Sequence, residues 1–88
     1  ITIANVIKIG NLKKLSLLSC RICNKKVDIL TSALQNSSVE KLDLSHNNIS
    51  NNGALSIANL LKSDTNITSI YVSGNPLSYY DIVKLISM

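Results

Sequence analysis

The chain contains no tryptophan and no phenylalanine in 88 residues, and only one proline and one histidine. Tyr71, Tyr79 and Tyr80 are its only aromatics. A compact domain usually places large rings at its centre. Without them the core must be built from Leu, Ile and Val, which suits a stack of thin, similar layers. Gly10, Gly53 and Gly74 stand apart from one another, so no glycine-rich loop cradles a phosphate and nucleotide binding is unsupported. No run of eighteen apolar residues is present, so no membrane span is expected. A leader with a basic start, an apolar stretch and a small-residue cleavage site is also missing. Two cysteines close together cannot staple a small secreted fold, which favours a reducing, cytoplasmic setting. Acidic residues number five against nine basic ones, and the net charge is +4. That excess is mild and is not by itself a nucleic-acid signature.

What the sequence does contain is a recurring frame. In residues 39–49 the pattern is L-x-x-L-x-L-x-x-N-x-L, filled by Val39, Leu42, Leu44, Asn47 and Ile49. Leu42 and Leu44 alternate with polar neighbours, the period-2 pattern of a half-buried strand. The frame fits twice more, with Leu12, Leu15, Leu17, Cys20 and Ile22 before it and Ile67, Ile70, Val72, Asn75 and Leu77 after it. The three starts, 12, 39 and 67, are 27 and then 28 residues apart.

Each second half reads as a helix. Val27, Leu30, Ala33 and Leu34 mark an apolar face in the first unit. Ala54, Leu55, Ile57, Ala58, Leu60 and Leu61 mark one in the second, after a polar Ser-Asn-Asn-Gly start. Ile82, Val83, Leu85 and Ile86 mark one in the third, for which Ser78 is an expected cap. Before the first frame, Ile3, Ala4 and Ile7 read as the helix of a partial unit that Gly10 and Asn11 end. Pro76 is expected to close the third strand and lead into a turn.

These frames resemble leucine-rich repeats. Units of this length, with one strand and one full helix, are similar to the ribonuclease-inhibitor-like subtype, found in cytosolic innate-immune receptors and bacterial effectors. Residues 51–62 carry that likeness most closely in the helical half. The resemblance implies an α/β fold: a leucine-rich repeat solenoid, a right-handed α/β superhelix of about three repeats. Its parallel sheet would line the concave side and its helices the convex side. The expected divisions are a partial helix at 1–11, repeats at 12–38 and 39–66, and a truncated repeat at 67–88. One repeat cannot bury its apolar face alone, so neighbours must stack. Both ends read as apolar-rich rather than polar-capped. A fragment of a longer solenoid, or self-association through uncapped ends, is therefore expected.

With the framework leucines pointing inward, the residues between them face the concave side. That places Lys14, Ser16 and Leu18 on the first strand, Lys41, Asp43 and Ser45 on the second, and Ser69, Tyr71 and Ser73 on the third. His46 flanks them at a strand exit, with Ser19, Arg21, Asn48 and Gly74. Lys14 and Lys41 form a basic row, and Ser16, Asp43 and Tyr71 form the next. Tyr71 and Leu18 are candidate anchors for a protein partner, and the lysines candidate steering charges. The plainer reading is a solvated sheet face.

Other motifs are weaker. Cys20 and Cys23 have C-x-x-C spacing, but zinc needs four ligands and only His46 remains as a further soft one. In the resembled subtype the slot of Cys20 takes Cys or Asn, which implies a small buried residue rather than a redox pair. His46 has no nucleophile arranged with it, so no catalysis is expected. Asn36-Ser-Ser, Asn48-Ile-Ser and Asn66-Ile-Thr are sequons at about the number that eleven asparagines give by chance.

The functional expectation is a non-catalytic protein–protein interaction module with an unidentified protein partner, no cofactor, no metal, no small-molecule substrate and no membrane. The alternatives are a regulator of an enzyme, of the inhibitor or GTPase-activating type, and a basic nucleic-acid surface through Lys13, Lys14 and Lys41. The last is disfavoured because only Tyr71 could stack a base near those lysines.

Overall fold

A computed structural model describes residues 11–63, 65–77 and 79–87. Strands and helices alternate: β1 (Lys14–Ser16), α1 (Asn24–Leu34), β2 (Lys41–Asp43), α2 (Asn51–Lys62), β3 (Ser69–Tyr71) and α3 (Tyr79–Ile86). The strands form one parallel sheet in the order β1-β2-β3. Parallel neighbours need a long crossover, and α1 and α2 supply it. Lys14, Lys41 and Ser69 stand in register, as do Leu15, Leu42 and Ile70, and Ser16, Asp43 and Tyr71. The sequence frame therefore reads the register correctly, including the extra residue in the second interval.

The strands are shorter than the apolar alternation suggests. Regular pairing ends at Ser16, Asp43 and Tyr71, yet the backbone bonding continues outward. Leu17 N–H donates to the Asp43 carbonyl at 2.8 Å and Leu44 N–H to the Tyr71 carbonyl at 2.8 Å. Ser19 N–H then donates to Ser45 O at 3.1 Å, and His46 N–H to Ser73 O at 2.8 Å. Pro76 consequently lies well beyond β3, after the turn at Ser73 and Gly74, and does not itself end the strand.

One aliphatic cluster joins sheet and helices. Val39, Leu42, Leu44 and Ile49 are fully buried with Val27, Leu34, Ala54 and Ile57. Burying a side chain such as Ile57 or Leu60 contributes about 1.5–3 kcal/mol. Burial is deepest in the central unit, which packs between the first and third units. The corresponding Leu15, Ile67 and Ile70 are only partly buried.

The helices follow their 3.6-residue periodicity with two corrections. Leu55 and Val83, expected on the apolar faces, are exposed by 50% and 56%. Each follows a buried neighbour, Ala54 and Ile82, and a step of about 100° turns it off the core-facing stripe. The expected helix before residue 11 and the Ser78 cap lie outside the described residues.

The start of α2 shows a feature that local sequence does not suggest. Ser50 is its N-cap but makes no side-chain cap bond. The cap comes instead from Asn24, at the start of α1. Asn24 Oδ1 accepts from Ser50 N–H and Gly53 N–H, each at 3.0 Å, and its Nδ2 donates to Ser50 Oγ at 2.7 Å. Gly53 is buried directly beneath this bond. A Cβ there would overlap the Ile49 side chain and Asn24 Oδ1, which explains glycine in the first turn of a helix. Among the described residues, no helix is long and apolar enough to cross a membrane.

Candidate functional site

The face of the sheet turned away from the helices carries the residues left free by the framework. Lys14 and Lys41 stand side by side on adjacent strands, both exposed. Neighbouring strands run about 4.8 Å apart, so the two ammonium-bearing side chains share one patch. Neither is in an ion pair among the described residues, whereas Lys13 approaches Glu40 at 3.9 Å. Both members of that pair are largely exposed, so it contributes little.

One row further along lie Ser16, Asp43 and Tyr71. Tyr71 is 48% exposed and stands free of the core, as does Leu18 at 48%. Ser16 is exposed, while Asp43 is half-buried and turns one carboxylate oxygen to the Ser45 backbone N–H at 2.9 Å. An open depression is lined by Lys14, Leu15, Ser16, Lys41, Leu42, Asp43 and Tyr71. It brings the basic row and the exposed ring into one surface.

The remaining residues expected on this face differ. Leu18 and Ser73 lie in turns beyond the strands, and both are exposed. Ser45 is a correction: it is only 6% exposed and is not available as a contact. Its hydroxyl accepts from Ser73 Oγ at 3.3 Å, and its carbonyl is taken by Ser19 N–H and by the Asn47 side chain. Ser69 is half-buried at the start of β3, in line with Lys41.

Beneath this end of the sheet runs a ladder of asparagine bonds. Asn47 Oδ1 accepts from Cys20 N–H at 3.0 Å and Ile22 N–H at 2.9 Å. Its Nδ2 donates to the carbonyls of Leu17, Leu44 and Ser45 at 3.0, 2.8 and 3.2 Å. Asn75 repeats the arrangement one unit on, accepting from Asn47 N–H and Ile49 N–H at 3.2 and 3.1 Å. Its Nδ2 donates to Leu44 O and Val72 O, both at 2.9 Å. Each asparagine thus satisfies the turn of the preceding unit and of its own.

Cys20 occupies the equivalent slot but does not fill a buried space, as had been expected. It is exposed, and its thiol reaches only its own Leu18 carbonyl at 3.5 Å. The Asn47 amide bonds the Cys20 backbone rather than its side chain, so nothing in the ladder encloses the sulfur. Cys23 is the N-cap of α1, so one thiol of the C-x-x-C pair does stand at a helix start. The backbone N–H of Lys26 holds its thiol below the usual range, against an opposing effect of desolvation. Both cysteines are free, and no group of three metal-binding side chains exists among the described residues.

His46 is exposed at the strand exit, and its backbone explains the position. Ser19, His46 and Gly74 occupy equivalent places in the three units, and all have left-handed φ, of 54°, 57° and 73°. Histidine tolerates that region better than most residues, and glycine tolerates it freely. The His46 ring lies against Gly74, where an added Cβ would overlap it. The ring therefore covers the next turn.

Residues 35–58 match the family described as Leucine Rich repeat. The match takes in β2, Asn47 and the first part of α2, and supports a leucine-rich repeat over this stretch. With three parallel strands and three helices, the chain has a small α/β fold of that kind. Leucine-rich repeats stack into binding surfaces for proteins and are typically non-catalytic. No curated protein and no solved structure matches the chain.

Proposed function

We propose that this chain is part of a ribonuclease-inhibitor-like solenoid that presents its concave sheet face to a protein partner and catalyses nothing. The observation that carries the reading is the separation of roles along each strand. Leu42, Leu44 and Ile49 are fully buried, while Lys14, Lys41, Ser16 and Tyr71 are exposed and stand in two adjacent register rows. Tyr71 is the telling member, a large amphipathic side chain half exposed at the β3 side of the open depression. Rigid aromatics in such positions are enriched as binding anchors. The strand-to-strand intervals of 27 (41 − 14) and 28 (69 − 41) residues, each spanning a full helix, support the subtype.

The test is the double substitution Tyr71→Ala with Lys41→Ala. Partner binding is expected to fall by ten-fold or more, about 1.4 kcal/mol, with the far-ultraviolet spectrum and unfolding midpoint retained. Undiminished binding by a folded double variant would refute the concave-face reading.

A further inference from the structure

We propose that the open sheet face takes an extended acidic peptide segment, with one carboxylate over Lys14 and Lys41 and an apolar side chain against Tyr71. This rests on the reading that the open face binds a protein. Lys14 and Lys41 are register partners on adjacent parallel strands, so two like charges are held together. Like charges directly opposite one another are unfavourable in a sheet. Neither lysine is in an ion pair with Glu40 or Asp43. Glu40 lies against Lys13, and Asp43 turns an oxygen to Ser45 N–H. A single carboxylate placed between the two ammonium groups supplies the missing opposite charge.

Tyr71 fixes the second contact. It belongs to the row two residues along from that of Lys41. Tyr71 also lies one strand across, so the diagonal from Lys41 is about 8 Å. Same-face side chains of an extended peptide repeat at about 6.6–6.8 Å, a difference that the long lysine and tyrosine side chains can span. An acid at one peptide position and an apolar side chain two further on therefore meet the basic row and the Tyr71 row together. The aliphatic stems of the lysines continue the apolar surface between them. The depression lined by Lys14, Leu15, Ser16, Lys41, Leu42, Asp43 and Tyr71 is the corresponding seat, in which Asp43 is half-buried and the two lysines outnumber it.

The test uses isotope-labelled protein and two blocked peptides, acetyl-Ser-Glu-Thr-Leu-Ser-amide and the same sequence with Gln for Glu. The Glu peptide is expected to shift the resonances of Lys14, Lys41 and Tyr71, with roughly millimolar affinity. The Gln peptide should bind about five-fold more weakly, the scale of an exposed charge contact. Lys14→Ala with Lys41→Ala should abolish that preference. Equal binding of both peptides to this face would overturn the acidic assignment and leave the concave-face reading standing. Binding of either peptide only at the helices would overturn both. Absence of binding by both peptides overturns the acidic assignment. So does a concentration-dependent shift of the same resonances without peptide, which marks a second copy as the occupant. Tighter, sequence-independent binding of a single-stranded oligonucleotide at these lysines also overturns it.

Discussion

Substituting Asn47 by alanine removes the side chain that ties the first two units together, and the structure sets the size of the loss. Two backbone donors lose their acceptor. One is Ile22, a buried framework residue, for which an unsatisfied N–H costs about 1–3 kcal/mol. The other is Cys20, which is exposed and can turn to water, so its bond is worth about 0.5–1 kcal/mol. Three carbonyls lose a donor, but two keep another. Leu44 O still accepts from Asn75 Nδ2, and Ser45 O from Ser19 N–H. They add about 0.5–1 kcal/mol together. The expected destabilisation is therefore roughly 2–5 kcal/mol, a large part of a small domain's total of about 5–15 kcal/mol. Urea unfolding of the wild type and the Asn47→Ala variant measures it, and amide exchange locates it at Cys20 and Ile22. Asn47→Asp separates the two halves of the network. A carboxylate still accepts from both N–H groups but repels the three carbonyls, so exchange at Ile22 stays slow although stability falls. A loss under about 1 kcal/mol, with exchange at Ile22 unchanged in the alanine variant, would refute the ladder as a source of stability.

Three further outcomes follow from the same geometry. Asn24→Ala should cost about 1–2 kcal/mol, typical of a lost helix cap, and amide exchange should quicken at Ser50 and Gly53, in α2, rather than in α1 where the substitution lies. Gly53→Ala should destabilise by about 1–3 kcal/mol in the same unfolding assay, although alanine is ordinarily the better helix former, because its Cβ meets Ile49 and Asn24. Cys23 should be alkylated faster than Cys20 at neutral pH under mass-spectrometric readout, despite the greater exposure of Cys20. Its lowered thiol range leaves more thiolate in the folded protein, and equal or slower alkylation of Cys23 would refute this.

The framework of the fold was legible because it repeats. Val39, Leu42, Leu44 and Ile49 recur at fixed intervals, and the period alone gives strand order and register. Asn47 and Asn75 were legible for the same reason. The contribution of Asn24 was not, since its partners Ser50 and Gly53 lie in the next unit and no local helix signal links them. Ser45 was placed on the open face by strict alternation, but the strand ends at Asp43 and the following turn folds the hydroxyl towards Ser73. The left-handed column was hidden because only Gly74 announces it, while Ser19 and His46 adopt the same backbone without a glycine. Cys20 was misjudged because Asn47 bonds its backbone and leaves the thiol exposed. The open face was legible as a set of residues. Its basic row and the Tyr71 row beside it followed from the same period, and the structure adds that they line one depression.

The central claim is that one set of side chains holds the fold and another is free for binding. The most direct measurement is urea unfolding of the triple variant Lys14→Ala, Lys41→Ala, Tyr71→Ala beside Leu42→Ala. The triple variant should remain within about 0.5 kcal/mol per site of the wild type, as exposed positions do. Leu42→Ala should lose about 2–5 kcal/mol, as fully buried leucines do. A triple variant that unfolds as readily as Leu42→Ala would contradict the claim.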